Sequence, residues 1–201
     1  MPTANPGGHR YFVVYKPWNM VSQFVSTHEV PLLGSIDFDF PDGTHAIGRL
    51  DKHSEGLLLL TTDKRITRLL FMGTQPHLRR YLVQVRFQVS EQTVVALSKG
   101  IDISAPEGAV YRTSPCKVER IAPPAFLPPA GFPIHEKVLN SWLSITLTEG
   151  KFHQVRKMVA AVNHKCIRLV RVSIEGIELG DLQPGQVREL SRDEFYRKLN
   201  I

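Results

Sequence analysis

The sequence predicts a mixed α+β fold in which strands outnumber helices. Three observations carry that expectation. Short apolar runs of strand length recur along the chain, with Tyr11-Phe12-Val13-Val14-Tyr15 and Gly56-Leu57-Leu58-Leu59-Leu60-Thr61-Thr62 the plainest. Helical periodicity with matching cap residues is confined to a few segments. The regular strand–helix alternation of a doubly wound sheet is missing.

Residues 1–9, rich in Pro, Gly and Asn, are expected to form a flexible tail ahead of a single domain over residues 10–201. Residues 11–15 read as a buried strand, broken at Lys16-Pro17 because proline restricts the residue before it. A loop region bearing Gly, Asp and Pro continues to Gly48. The run at 56–62 is short enough to suit a strand covered on both faces. Asp63 can cap a helix over residues 66–71, with Gly73 beyond its end. Residues 81–89 alternate as a strand, and Ser90 caps a helix over 91–99 that Gly100 stops.

Further on, residues 110–121 read as extended. The stretch Ala122-Pro123-Pro124-Ala125-Phe126-Leu127-Pro128-Pro129 is expected to be a surface loop, because proline cannot donate to a strand ladder. Residues 142–148 form another strand. Within 152–162, Val155, Met158, Val159 and Val162 make the buried stripe of a helix, with Arg156 and Lys157 off that stripe. Residues 167–174, 177–179 and 186–190 are strands, and Ser191-Arg192-Asp193-Glu194 is a capping box opening a last helix.

The chain of 201 residues suffices for one compact domain or two closely packed lobes. Its formal charge of +6, from 25 Lys plus Arg against 19 Asp plus Glu, favours polyanionic partners such as nucleic acid. Cys116 and Cys166 lie too far apart in sequence for a zinc ribbon, and two cysteines make no disulfide framework. His53, His77, His153 and His164 show no metal-ligand spacing. The opening residues lack the basic and apolar regions of a signal peptide, and no apolar run is long enough to span a bilayer. A reduced, cytoplasmic protein without metal is expected.

The segment richest in chemical information is Gly48-Arg49-Leu50-Asp51-Lys52-His53-Ser54-Glu55-Gly56-Leu57-Leu58-Leu59-Leu60-Thr61-Thr62. It places a carboxylate in a glycine-bounded loop just ahead of a buried strand, a rigid support for a precisely held group. A lone loop Asp is by default a turn or cap residue. This segment, however, resembles the signature of the RsuA-type pseudouridine synthases, in which Gly-Arg-Leu-Asp leads into Gly-Leu-Leu-Leu-Leu-Thr. Three further segments are similar to that family in the same order. They are Lys16-Pro17, then Glu149-Gly150-Lys151-Phe152-His153-Gln154-Val155-Arg156-Lys157-Met158, then Arg168-Leu169-Val170-Arg171-Val172 with Gly180-Asp181-Leu182 and Pro184-Gly185. The resemblance covers residues 11–190.

It implies the pseudouridine synthase fold: a largely antiparallel mixed sheet with flanking helices and a central catalytic cleft. It also implies an enzyme that isomerises uridine in RNA without a cofactor. Asp51 looks like the nucleophile, Tyr81 like the tyrosine that stacks on the target base, and Arg156 like the arginine that ion-pairs with the catalytic carboxylate. Leu169 resembles the apolar pocket floor, and Arg49 the side chain that fills the gap left by the extruded base. Lys64, Arg65, Arg68, Arg79, Arg80, Lys151 and Lys157, close in sequence to the motifs, are expected to track phosphates. The Gln23-Phe24 pair, the proline-rich insert and the missing S4 domain resemble the RluE-like branch, which modifies large-subunit (23S) ribosomal RNA. Members of the branch commonly have Asn-Arg where this chain has Phe152-His153.

The residue types suit the chemistry. Pseudouridine formation breaks a glycosidic C–N bond, turns the uracil and forms a C–C bond at the same sugar. A carboxylate can attack the sugar carbon or deprotonate the 2′ carbon, and sequence does not separate these routes. An arginine keeps such a carboxylate ionised in a pocket that would otherwise raise its pKa. A base drawn from its stack needs an aromatic face and an apolar floor. Three other readings compete: the same chemistry on 16S ribosomal or transfer RNA, a glycoside hydrolase using Asp51 with Glu55, and a catalytically idle RNA-binding or ribosome-assembly module. The hydrolase needs two carboxylates at a set separation. A monomer acting on ribosomal RNA, away from membranes, is the expected state.

Overall fold

The computed structural model describes residues 8–72, 76–135 and 138–201. Most of the expected tail and the helix-ending Gly73 therefore lie outside the described residues. The chain forms two compact units, one from the chain up to His77 together with Arg171–Ile201, the other from Leu78–Val170. In order, the first unit carries β1 (Tyr11–Lys16), β2 (His45–Ile47), β3 (Glu55–Thr61) and α1 (Arg65–Met72). The second carries β4 (Arg79–Arg86), α2 (Glu91–Ser98), β5 (Asp102–Ser104), β6 (Val110–Arg112), β7 (Lys117–Ile121), β8 (Asn140–Leu147) and α3 (Gln154–Ala161). Strand β9 (Cys166–Ile174) leads back to the first unit, which ends with β10 (Ile177–Glu178), β11 (Val187–Leu190) and α4 (Arg192–Leu199). Antiparallel pairing dominates, and the class is α+β.

In the first unit β1 lies between β11 and β3, antiparallel to both, in a register that sets Tyr11 opposite Leu190 and Thr61 and Lys16 opposite Gly56. Every residue of β1 and β3 is buried. Two-sided coverage explains their unbroken apolar runs. The region read as loop up to Gly48 is organised by aromatics: the Phe38 and Phe40 rings meet Phe12 at 5.5 and 5.8 Å, and Phe24 meets Phe40 at 5.4 Å. It also contains β2, which pairs with the far half of β3. Sequence reading missed this strand because three residues carry no periodicity.

The last helix is clasped to β1. The Ser191 hydroxyl accepts the Glu194 N–H as a cap, and the buried Phe195 ring lies 4.6 Å from Tyr11. Asp63 sits at the centre of this clasp with no solvent exposure. Its carboxylate accepts two bonds of 2.8 Å from the Arg65 guanidinium and one from the Arg65 backbone N–H, which opens α1. The Tyr11 and Tyr196 hydroxyls donate to the same carboxylate at 3.3 and 3.2 Å.

In the second unit β4 pairs with β8 from Arg79–Leu147 to Arg86–Asn140, and β7 lines the other edge of β8. β4 stops at Arg86, three residues before the expected end, because Phe87 turns to a left-handed φ of 71°. Ser90 caps α2 through the Thr93 N–H, and Gly100 follows at φ 84°. The extended stretch expected over 110–121 divides into β6 and β7 around Pro115, and β6 forms a two-stranded ribbon with β5. The proline-rich segment stays out of the sheet and is tied down where Pro128 O accepts the Arg168 guanidinium at 2.9 Å. Val83, Leu143, Ile145, Met158, Val159 and Leu169 are among the core residues of this unit.

The Arg65 guanidinium, with the Arg65 backbone N–H and the nearby His9, holds the Asp63 carboxyl well below the ordinary carboxylate range against the opposing effect of burial. A group depressed in the folded state stabilises above its unfolded pKa and loses that contribution as pH falls. Asp63→Ala should lower the unfolding free energy by about 2–4 kcal/mol, since the buried Tyr11 hydroxyl and the part-buried Tyr196 hydroxyl lose a charged acceptor. Urea titrations of both proteins should show the gap narrowing as pH drops below about 4. An unchanged midpoint at neutral pH would contradict the clasp.

Candidate active site

Asp51 stands in the turn that delivers the chain into β3. Its carbonyl accepts the Ser54 N–H at 3.0 Å, closing the turn, and Gly48 and Gly56 on either side hold left-handed φ of 72° and 97°. The preceding Leu50 is fastened at both backbone groups to the buried Ser22 hydroxyl, at 3.0 Å from its N–H and 2.9 Å to its carbonyl. Lys16 completes the framework. Its ammonium is fully buried and donates to Pro17 O at 2.9 Å, Met20 O at 2.6 Å and Lys52 O at 3.4 Å. It thereby joins the exit of β1 to the residue after Asp51.

The charge there is finely held. Burial pulls the Lys16 ammonium down to about 7, the Arg171 charge pushes the same way, and the Glu55 and Asp51 carboxylates oppose both. Glu55 is buried at the start of β3, where the Tyr15 hydroxyl donates to it at 3.3 Å. Arg171 is also buried and spends its Nε–H on Leu57 O at 2.8 Å. Asp51 itself is half-buried, and its backbone carbonyl is held by the Ser54 N–H. A carboxylate presented this way can serve as nucleophile or base. Glu55, by contrast, is too enclosed to activate water, which counts against the paired-carboxylate hydrolase.

Arg49, next to Asp51, is exposed. Lys64 and Arg68 on the same unit are exposed as well, whereas Arg65 is engaged by Asp63.

The second unit gathers Tyr81, Leu169 and α3 around one core. Tyr81 on β4 stands opposite Ile145 and packs, half-buried, on the cluster that contains Leu169, Val155 and Met158. Arg156 follows Val155 on α3 and is half-buried. Its charge reaches Cys166, where burial pushes the thiol up to about 11 and Arg156 opposes the rise.

A hydrogen-bond network that sequence reading missed sets the start of α3. The buried Gln154 amide accepts the Lys151 N–H at 2.8 Å and donates to Glu149 at 2.6 Å. Glu149 also accepts from the Ser114 N–H and hydroxyl and from the Tyr111 hydroxyl. Burial alone would raise the Glu149 carboxyl, but these donors hold it below its ordinary value. The available signal was a glutamate and a glutamine flanking the motif turn.

Of the cations expected on a phosphate rim, Arg80 is exposed. Arg79 is buried, donating to Thr148 O at 3.4 Å, and a side chain at Gly150 would meet its guanidinium at 3.0 Å. Lys157 donates to Ser104 O at 2.7 Å, and Lys151 lies 4.6 Å over the Tyr111 ring.

Comparison with known proteins fits this arrangement. A family model described as RNA pseudouridylate synthase matches residues 10–161. The "Ribosomal large subunit pseudouridine synthase E" of Vibrio parahaemolyticus serotype O3:K6 is 35% identical over 192 residues, covering 94% of this chain and 77% of the relative. The protein of the same description from Xanthomonas campestris pv. campestris is 36% identical over 175 residues, covering 86% of this chain and 91% of the relative. A solved structure titled "Crystal structure of pseudouridylate synthase" superposes with a TM-score of 0.75 at 28% identity, over 96% of this chain and 74% of that one. A matched family model over most of the chain, two relatives above 30% identity and the shared fold together place this chain in the RNA pseudouridine synthase family.

Proposed function

We propose that this pseudouridine synthase converts a uridine of large-subunit ribosomal RNA to pseudouridine, with Asp51 as its nucleophile. The observation that carries the assignment is the Asp51 turn itself. Asp51 is half-buried, its own carbonyl is bound by the Ser54 N–H and those of Leu50 and Lys52 by Ser22 and Lys16, ahead of a strand with no exposed residue. The substrate class follows the names of the large-subunit relatives, which match nearly the whole chain.

In this reading the Asp51 carboxylate meets the sugar of a uridine drawn out of its stack. The N1–C1′ bond breaks, the uracil turns, and C5 bonds to C1′ while its proton is transferred to restore the ring. Attack at C1′ and proton removal at C2′ both place Asp51 at the ribose, so the assignment stands for either route. Tyr81 offers an aromatic face and a hydroxyl to the base, and Leu169 an apolar floor; both belong to one packed core, which limits their movement. Arg156 is assigned to the carboxylate and Arg49 to the gap in the RNA. The atoms balance within the substrate, so the reading calls for no cofactor or metal. Residues 10–201 act in it as one catalytic domain, in a cytoplasmic monomer that binds ribosomal RNA or its assembly intermediate. Arg79, Arg80 and Lys157 support that RNA, Arg80 through direct phosphate contact.

Asp51→Asn should abolish pseudouridine formation while leaving RNA affinity essentially unchanged, because the amide keeps the shape and loses the nucleophile. Turnover by the purified variant, free of host enzyme, would end the assignment.

Arg156→Leu should impair turnover far more than Lys157→Leu, by roughly a hundredfold against a few-fold, as expected when a group that orients the reacting carboxylate is lost. Equal losses in two folded variants would contradict the division of roles.

For the substrate, pseudouridines should be mapped in total RNA from cells lacking the protein and from matched controls. One large-subunit site should vanish. Loss of a transfer-RNA or small-subunit site instead, with every large-subunit site retained, would overturn the substrate while leaving the chemistry.

A further inference from the structure

Exposed apolar residues scattered singly are ordinary on a protein surface. Phe152 is not of that kind. It is 71% exposed, yet its ring lies nearly parallel to the His153 imidazole, with centroids 3.9 Å apart and planes 17° from one another. Lys157 Nζ sits 5.5 Å from the Phe152 centroid and is itself steadied by Ser104 O. The Glu149–Gln154 bonds and the left-handed backbone at His153 define the turn from which both rings project. One aromatic face is thus backed by an imidazole and flanked by an ammonium, while most of the ring meets water.

We propose that Phe152 and His153 form a nucleobase-stacking subsite, which takes an unpaired base of the RNA beside the uridine to be modified. The chemistry favours a base over a peptide or a lipid. Flat π-faces stack on flat π-faces whatever their sequence, and a cation held 5.5 Å from the ring centroid suits the phosphate that accompanies each base. RNA recognition by single strands relies on splayed bases held in this manner. The subsite rests on the reading of this chain as an RNA-modifying enzyme and adds to it the residues that hold a neighbouring nucleotide.

The test uses a short single-stranded oligoadenylate, which contains no uridine and so cannot occupy the site as substrate, and an abasic ribose-phosphate oligomer of equal length. Binding is measured for the wild type and for Phe152→Ala, Phe152→Leu and Phe152→Trp. An exposed side chain should leave the thermal midpoints alike. Ala and Leu should each weaken oligoadenylate binding roughly tenfold, the loss of one stacked base, while Trp retains it. The salt dependence should keep its slope, since no phosphate contact is removed. The abasic oligomer should bind all four proteins equally. Wild-type affinity in the Leu variant, the same discrimination with the abasic oligomer, or a wild type that does not prefer oligoadenylate would each overturn the subsite. Turnover on large-subunit RNA is followed in parallel with the wild type; its absence would overturn the substrate reading separately.

Discussion

The ammonium of Lys16 has no access to water, and its three protons go to the carbonyls of Pro17, Met20 and Lys52. Much of the first unit depends on keeping that charge in place. Burial works to discharge it, Arg171 adds to that pressure, and Glu55 and Asp51 resist. Two acids and two bases meet behind a single turn, and removing Glu55 or Asp51 takes a counterweight from the buried Lys16 charge. The register of β1 on β3 is what sets Lys16 opposite Gly56, beside the turn it fastens. Gly56, the second residue of β3, takes a positive φ that a side chain would disfavour. Sheet pairing and local electrostatics thus act on the same carboxylate.

The second unit solves a similar problem by other means. Helix α3 carries Arg156 and is held by apolar packing along Val155, Met158 and Val159. Its N-terminal end is held by polar bonds from Gln154 and Glu149 to neighbouring segments. Packing restrains where the helix lies and the network restrains where it starts, so side chains leaving its first turn have little freedom. Phe152 and His153 leave the chain at that point.

Much of the fold was legible in the sequence. Two-sided burial writes itself as unbroken apolar runs, which is why β1 and β3 stood out. The caps at Asp63, Ser90 and Ser191 were legible because a short polar side chain before a periodic segment has a local purpose. Strands β2 and β5 were not, since three residues hold no pattern and their pairing comes from distant partners. The region between β1 and β3 reads as loop although Phe24, Phe38 and Phe40 pack there, because ring contacts across the chain leave no local trace. Asp51 stood out only through the motif around it. Lys16, Glu149 and Arg171 lay inside the motif-like segments, but their roles were not legible, as these lie in partners brought up by folding. Arg65, Arg79 and Lys157 were grouped with an RNA-facing rim by closeness in sequence; that folding also gives each a partner within the protein left no local trace.

The first unit is assembled from the two ends of the chain, with β1 taking β11 as a neighbour and Tyr11 taking Phe195. During synthesis this has a cost in time. Strands β1 and β3 leave the ribosome early, yet β1 has an unpaired edge until residues near 190 have been made. At translation rates of about 5–20 residues per second, that wait lasts on the order of ten seconds. The middle segment carries its own core and can close in the interval, but the nascent amino-terminal strands present apolar surface throughout it. For an enzyme of this design holdase chaperones matter at the ribosome-bound stage, and the arrival of β11 and α4 ends the exposure.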